Sequence, residues 1–255
     1  MFGNKKKDKH SSRSFRSVAE KDAPFGYVEA FKSLRTNINF MSVSKKLQTI
    51  VITSSIPGEG KSNMAINLAT SLAETKDDVL LVDCDLRKPA IYKYLGIAEG
   101  RNVGLSTVLT GKSTLDESIH HMSGLHIHVL CAGAVPPNPA EMLGSSRMEQ
   151  LIEELKKHFT YIIFDTPPVS VVTDAAVLSR YTDGTILVVR HKFANSEVAK
   201  LAKANLDAVN TNIIGAVMSV YDAKASSRDN GYYYSYGYGY GYGYGENEEN
   251  KGKKK

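Results

Sequence analysis

Residues 47–62 read LQTIVITSSIPGEGKS, and no other stretch of the chain restricts the fold so tightly. A strand-length apolar run, LQTIVIT (47–53), meets a glycine-bearing turn, and a helix-forming segment follows from about Lys61 to Glu74. Gly58 and Gly60 permit a tight backbone path on which successive N–H groups face one point. The positive end of the following helix strengthens the field there. A turn of this kind is a cradle for phosphate. Its candidate lining is Ser55, Pro57, Gly58, Glu59, Gly60, Lys61, Ser62 and Asn63. Lys61 offers a point charge for the β- and γ-phosphates, and the Ser62 hydroxyl offers a ligand for Mg²⁺. ATP and Mg²⁺ are therefore the expected cofactors. The pattern G-x-x-x-x-G-K-[ST] has one departure, since Ser55 stands where its first glycine belongs.

The rest of the chain supplies the scaffold such a turn needs. Val28, Phe31, Leu34, Ile38 and Met41 recur at helical spacing. Further strands are predicted at 79–83, 125–130, 161–165, 185–190 and 213–219, with helices at 146–159 and 196–209 among the segments between them. Strands that are apolar throughout and alternate with helices form a parallel sheet covered on both faces. The predicted class is α/β: a three-layer α/β/α P-loop NTPase fold with a mostly parallel central sheet.

Two of those strands end in acids. VLLVDCDLR carries Asp83 and Asp85, and YIIFDTPP carries Asp165. Ligands of open α/β sheets gather beyond the carboxyl ends of the strands, so these carboxylates are placed to meet a nucleotide's metal. Asp165 reads as the acid that holds Mg²⁺, directly or through water. Asp83 and Asp85, two residues apart, share a face of a continuing strand. One can hold metal while the other accepts a hydroxyl proton, and the sequence does not distinguish them. Capping of a following helix competes for each, more for Asp85 than for Asp165, which precedes Thr166, Pro167 and Pro168. Ser62, Asp83, Asp85 and Asp165 are thus the candidate metal ligands, and Lys61, Asp83, Asp85 and Asp165 the candidate catalytic set.

Composition excludes other classes. The longest apolar runs fall far short of the ~20 residues of a membrane helix. The N-terminus is basic without an apolar stretch behind it, which is not a secretory signal. Cys84 and Cys131 are isolated, consistent with a reducing, cytoplasmic setting. The net charge of +5 comes largely from lysines at the two ends, and no basic patch interleaved with aromatics argues for nucleic acid. His120, His121, His126 and His128 crowd a short stretch but lack the carboxylate or thiolate support of a metal site. Arg87 reads equally as a phosphate contact or a surface ion pair.

Three regions follow. Residues 1–26 are basic and polar and are expected to be disordered; 27–222 form the nucleotide-binding domain; 223–255 form a flexible tail. In that tail Tyr232, Tyr233, Tyr234, Tyr236, Tyr238, Tyr240, Tyr242 and Tyr244 are largely spaced by glycine. Glycine at alternate positions removes the cross-strand partners a sheet requires. From Asp222 to Tyr244 the extended reach is on the order of 70 Å, enough to enter a neighbouring subunit's site.

PGEGKS, LVDCDLR and FDTPP, in that order, resemble the Walker A, Walker A′ and Walker B motifs of the bacterial tyrosine kinases of capsule and exopolysaccharide synthesis, and the tyrosine cluster resembles that family's autophosphorylation site. The resemblance covers nearly the whole chain. It implies an ATP- and Mg²⁺-dependent protein-tyrosine kinase of the soluble Gram-positive type. The implied partners are a membrane-anchored co-polymerase-type activator that recruits the kinase to the inner face of the cell membrane, a tyrosine phosphatase, and polysaccharide-synthesis enzymes as substrates. It also implies ring assembly through an E-x-x-R-x-x-R motif, matched here by Glu29, Lys32 and Arg35, with lysine at the middle position. Without the resemblance those three read as ordinary i,i+3 pairs on a helix face. Two other functions compete: a ParA/MinD-like positioning ATPase, whose loop carries an early second lysine that this chain lacks, and a scaffold that binds ATP without transferring phosphate.

Overall fold

The structure, a computed structural model, describes residues 16–75 and 78–220. Helix α1 (Phe25–Ser44) leads into β1 (Thr49–Ser54), α2 (Lys61–Ala73) and β2 (Val79–Asp83). Short helices α3 (Ile91–Leu95), α4 (Leu105–Leu109) and α5 (Leu115–Ser118) precede a hairpin of β3 (Ile119–Met122) and β4 (Ile127–Leu130). Then come α6 (Pro139–Leu143), α7 (Ser146–His158), β5 (Tyr161–Asp165), α8 (Asp174–Ser179), β6 (Gly184–Arg190), α9 (Ser196–Asp207) and β7 (Ile213–Ser219).

The sheet runs β3-β4-β2-β5-β1-β6-β7, parallel throughout except for β3 against β4. Every residue of β1, β2 and β5 is buried, which explains why these strands show no polar alternation. Their side chains still alternate between two cores. Ile50, Ile52, Leu81 and Ile163 join Ile66, Leu68 and Leu72 of α2 on one face. Val51, Leu80, Val82, Ile162 and Phe164 join Met148, Ile152 and Leu155 of α7 on the other. Helices on both faces give the expected three layers. The predicted apolar stripe of α1 is also the buried one: Phe31 and Ile38 lie in the core shared with α2, with Leu34 and Met41 packed against it.

The prediction erred at the sheet's edge. The strand expected at 125–130 starts only at Ile127, because Leu125 and His126 turn a hairpin: the Leu125 N–H bonds the Met122 carbonyl at 2.9 Å, and His126 takes a φ of 55°. The preceding IHHM lacks a two-residue period, so β3 and its antiparallel pairing went unseen.

At the N-terminus, residues 16–24 are placed within the segment expected to be unstructured. Ser17 and Val18 are buried there, and the fully buried Asn67 of α2 accepts the Val18 N–H at 2.7 Å and donates to the Arg16 carbonyl at 2.9 Å. Residues 1–15, and the tail with Tyr232–Tyr244, lie outside the described residues.

Candidate active site

β1, β2 and β5 are neighbours in the sheet, so their carboxyl ends bring the three acids to the glycine turn. The turn spans Ser55–Gly60, and both of its glycines are in the left-handed region, Gly58 at φ 88° and Gly60 at φ 90°. A side chain at either position would be strained. Gly60 is also the N-cap of α2 and supplies no side-chain cap, which leaves the first amides of a 13-residue helix to a bound anion.

Lys61 opens α2 and is nearly enclosed. Its Nζ lies 2.9 Å from Asp85 Oδ2, 3.6 Å from Asp165 Oδ1 and 3.4 Å from Ser62 Oγ. Burial alone would lower the ammonium's pKa, but the Asp165 and Asp85 carboxylates outweigh it and hold the pKa above its usual value. The lysine is therefore a permanent cation.

The acids differ in how they are used. Asp83 is fully buried: Oδ1 accepts the Asp85 N–H at 3.1 Å, and Oδ2 accepts the N–H groups of Ala90 and Ile91 at 3.2 and 3.1 Å. It thus caps the start of α3, the alternative role that the sequence left open for each of these acids. Asp85 gives Oδ1 to the Lys88 N–H at 3.0 Å and turns Oδ2 to Lys61. Asp165 is fully buried; Lys61 stands 3.6 Å from its Oδ1, and Lys61 and Ser62 are the side chains that face its carboxylate. Burial first, then repulsion from Asp165, pushes the Asp83 carboxyl up to about 7. Burial likewise raises Asp165, against the pull of Lys61.

The Asp165 carboxylate beside Lys61, together with the Ser62 hydroxyl, forms an oxygen donor set that suits Mg²⁺. Among the described residues no group of three His, Cys, Asp or Glu side chains encloses a metal by itself.

Some expected residues stand apart. Glu59 is fully buried with its carboxylate bonded to the Ile56 and Arg190 amides, so only its backbone faces the cradle. Glu29 and Lys32, both half-buried, pair with each other at 2.8 Å on α1. Arg35 reaches the Ser71 carbonyl and the Glu74 carboxylate at the end of α2. Cys84, between the two acids, is buried, and burial and the surrounding carboxylates raise its thiol well above the usual range, leaving it inert.

Sequence reasoning missed Asp174. It is fully buried at the start of α8 and receives the Arg87 guanidinium in a two-pronged pair, Nε to Oδ2 and Nη2 to Oδ1, both at 2.9 Å. This pair ties the loop after β2 to the loop after β5. Arg87 is thereby committed to a carboxylate. TDA before an apolar run was the available signal, but it reads as a routine helix start.

Comparison with known proteins agrees with this geometry. The AAA domain family model matches residues 47–214. The tyrosine-protein kinase YwqD of Bacillus subtilis (strain 168) is 39% identical over 206 residues, covering 81% of this chain and 85% of YwqD. The chain belongs to the bacterial tyrosine-protein kinase family. The putative tyrosine-protein kinase CapB of Staphylococcus aureus is 33% identical, over 81% of this chain and 88% of CapB. Among solved structures, the kinase domain of the Escherichia coli tyrosine kinase ETK superposes with a TM-score of 0.76 at 31% identity, covering 85% of each chain. The motifs that carried the resemblance lie within the matched span, around one cradle.

Proposed function

We propose that this kinase transfers the γ-phosphoryl group of Mg²⁺-bound ATP to tyrosine hydroxyls, foremost those of the C-terminal cluster Tyr232–Tyr244. The observation that carries the reading is the Lys61 ammonium, bracketed by Asp85 and Asp165 at the mouth of the glycine turn. The backbone amides of the turn and of α2's first turn bind and orient the phosphates, and Lys61 neutralises charge that builds on the transferring group. When bound, Mg²⁺ would supply charge compensation for the transferring phosphate, and Asp165 with Ser62 would hold it. Asp85 is the proton acceptor. One of its oxygens faces the site, whereas both Asp83 oxygens are held by main-chain N–H groups. Asp83 then fixes the loop that carries Asp85.

The substrate tail is long enough to act in trans, and its glycines let a hydroxyl be presented at little strain. Assembly into a ring through Glu29, Lys32 and Arg35 belongs to the same reading, as do activation by a membrane-anchored partner, recruitment to the inner face of the membrane, and a role in capsule or exopolysaccharide synthesis. A phosphatase and polysaccharide-synthesis enzymes are the further partners expected of such a kinase. Among the described residues no helix is long and apolar enough to cross a membrane.

The test incubates the full chain with Mg²⁺-ATP, with and without the cytoplasmic tail of an activator, and maps phosphotyrosine by mass spectrometry. Phosphate on Tyr232–Tyr244 that falls by at least ~100-fold in Lys61→Met supports the reading. ATP binding with no phosphotyrosine in either condition would sink it and favour a scaffold.

A further inference from the structure

Glu59 is an awkward residue for its position. It lies between the two left-handed glycines of a loop meant to hold a polyanion, and a carboxylate swinging toward that loop would repel the phosphates. The structure shows where the charge goes. The side chain is fully buried, with Oε2 accepting the Ile56 N–H at 2.9 Å and Oε1 accepting the Arg190 N–H at 3.1 Å. The first bond closes the glycine turn on itself across three residues. The second fastens the turn to the carboxyl end of β6. Two more bonds run the same way: the Ser219 hydroxyl at the end of β7 donates to the Glu59 carbonyl at 2.5 Å, and Arg190 Nη1 donates to the Gly58 carbonyl at 3.3 Å.

All four bonds join the phosphate loop to itself or to β6 and β7, on the opposite side of β1 from Asp83 and Asp165. The loop therefore has two walls. The acids and Lys61 stand on one side of the loop, while Glu59, Arg190 and Ser219 hold its shape from the other. The left-handed glycines leave the loop pliant, and an unbraced loop would have to be ordered each time nucleotide binds.

We propose that Glu59 is a positioning residue: its side chain locks the phosphate loop to the ends of β6 and β7 and so preorganises it for ATP. This rests on the nucleotide-binding part of the functional reading but not on which hydroxyl receives the phosphate. It also reverses the sign expected from charge alone. Removing a carboxylate next to a triphosphate site should tighten binding if the carboxylate only repels, and should weaken it if the carboxylate is the lock.

Glu59→Gln keeps the shape but turns an NH₂ group toward one of the two amides, so one bond is replaced by two opposed donors. The dissociation constant for a fluorescent ATP analogue with Mg²⁺ is expected to rise at least tenfold, with the kinetic loss in KM for ATP rather than in kcat. Ser219→Ala, which removes the β7 bond alone, is expected to raise it about threefold. The double variant should cost less than the product, because both act on one loop. Unchanged or tighter binding in Glu59→Gln, or a loss confined to kcat, would overturn the proposal. If Glu59→Gln fails to fold, unchanged binding in Ser219→Ala does so instead. Wild-type protein that binds nucleotide but makes no phosphotyrosine would refute the kinase reading and leave this comparison intact.

Discussion

Asp83 and Asp165 are register partners at the ends of β2 and β5, and both are fully buried. Two carboxylates this close in a dry site resist ionising together, and Lys61 offsets only part of the repulsion. The pair is held in readiness for a cation at some expense to the empty protein's stability.

That arrangement predicts a pH dependence. The Asp83 carboxyl titrates near 7 in the folded chain and near 4 when unfolded, so between these values the folded state holds the extra proton. Stability of the nucleotide-free protein should fall as pH rises through that window. Asp83→Asn cannot titrate, so wild-type stability minus variant stability should decline between pH 5 and pH 8. Chemical denaturation across that range measures it. Parallel curves for the two proteins would show that the pair is not strained.

The Arg87–Asp174 pair makes a different demand. Asp174 is fully buried and Arg87 partly exposed, so removing the arginine strands a charge in the interior. Arg87→Ala should therefore destabilise by about 3 kcal/mol. Arg87→Lys should recover only part of this, because an ammonium cannot make both prongs. Arg87→Ala combined with Asp174→Ala should cost less than the sum of the singles, read from urea midpoints. Additive losses would mean that the two residues act separately.

The sheet, its two covering layers and the acid-bearing strand ends were legible because long apolar runs and a glycine turn fix them locally. β1, β2 and β5 needed only an unbroken stretch of apolar residues. The missed features depend on partners remote in sequence. Arg87 and Asp174 are 87 residues apart, and nothing local to either announces the other. β3 is the local exception, a hairpin neighbour of β4 that the IHHM pattern did not announce. Glu59 was read as cradle lining because the motif places it there, while its side chain answers to Arg190, 131 residues away.

Asp183 shows the same long reach at the other end of the sheet. Its Oδ2 accepts the N–H groups of Gln48 and Thr49 at 2.9 and 2.8 Å and the Thr49 hydroxyl at 2.7 Å, which pins the start of β1. Burial works against the charge, but the bonds from Thr49 and Gln48 win and hold the carboxyl below its usual range. Its contribution is thus present above the unfolded value near 4 and is lost as pH falls through the folded one. Asp183→Asn should cost about 2 kcal/mol at pH 7, moderated by solvent at the half-buried site, and less toward pH 3. A cost that stays constant with pH would assign the effect to shape rather than to charge.

Asn67 gives the sharpest test of how the N-terminal segment is held. Its side-chain amide pairs with the main chain on both sides of Ser17, accepting from Val18 and donating to Arg16, and the same NH₂ lies 3.0 Å from the Tyr27 hydroxyl. Asn67→Ala leaves these groups without their partner under a buried Val18, and should cost about 2–3 kcal/mol. Asn67→Asp separates accepting from donating. An ionised carboxylate can still take the Val18 N–H but cannot donate to Arg16, and it places a charge where asparagine is fully buried. A protonated carboxyl can do both. The pKa of the introduced acid should therefore be raised in the folded state, and Asn67→Asp should regain stability relative to wild type as pH falls from 7 to 5. Tyr27 also bonds Asn63, in the first turn of α2 beside Ser62, so ATP affinity should weaken alongside. If Asn67→Asp is as stable as wild type at pH 7, the segment is not held by this amide.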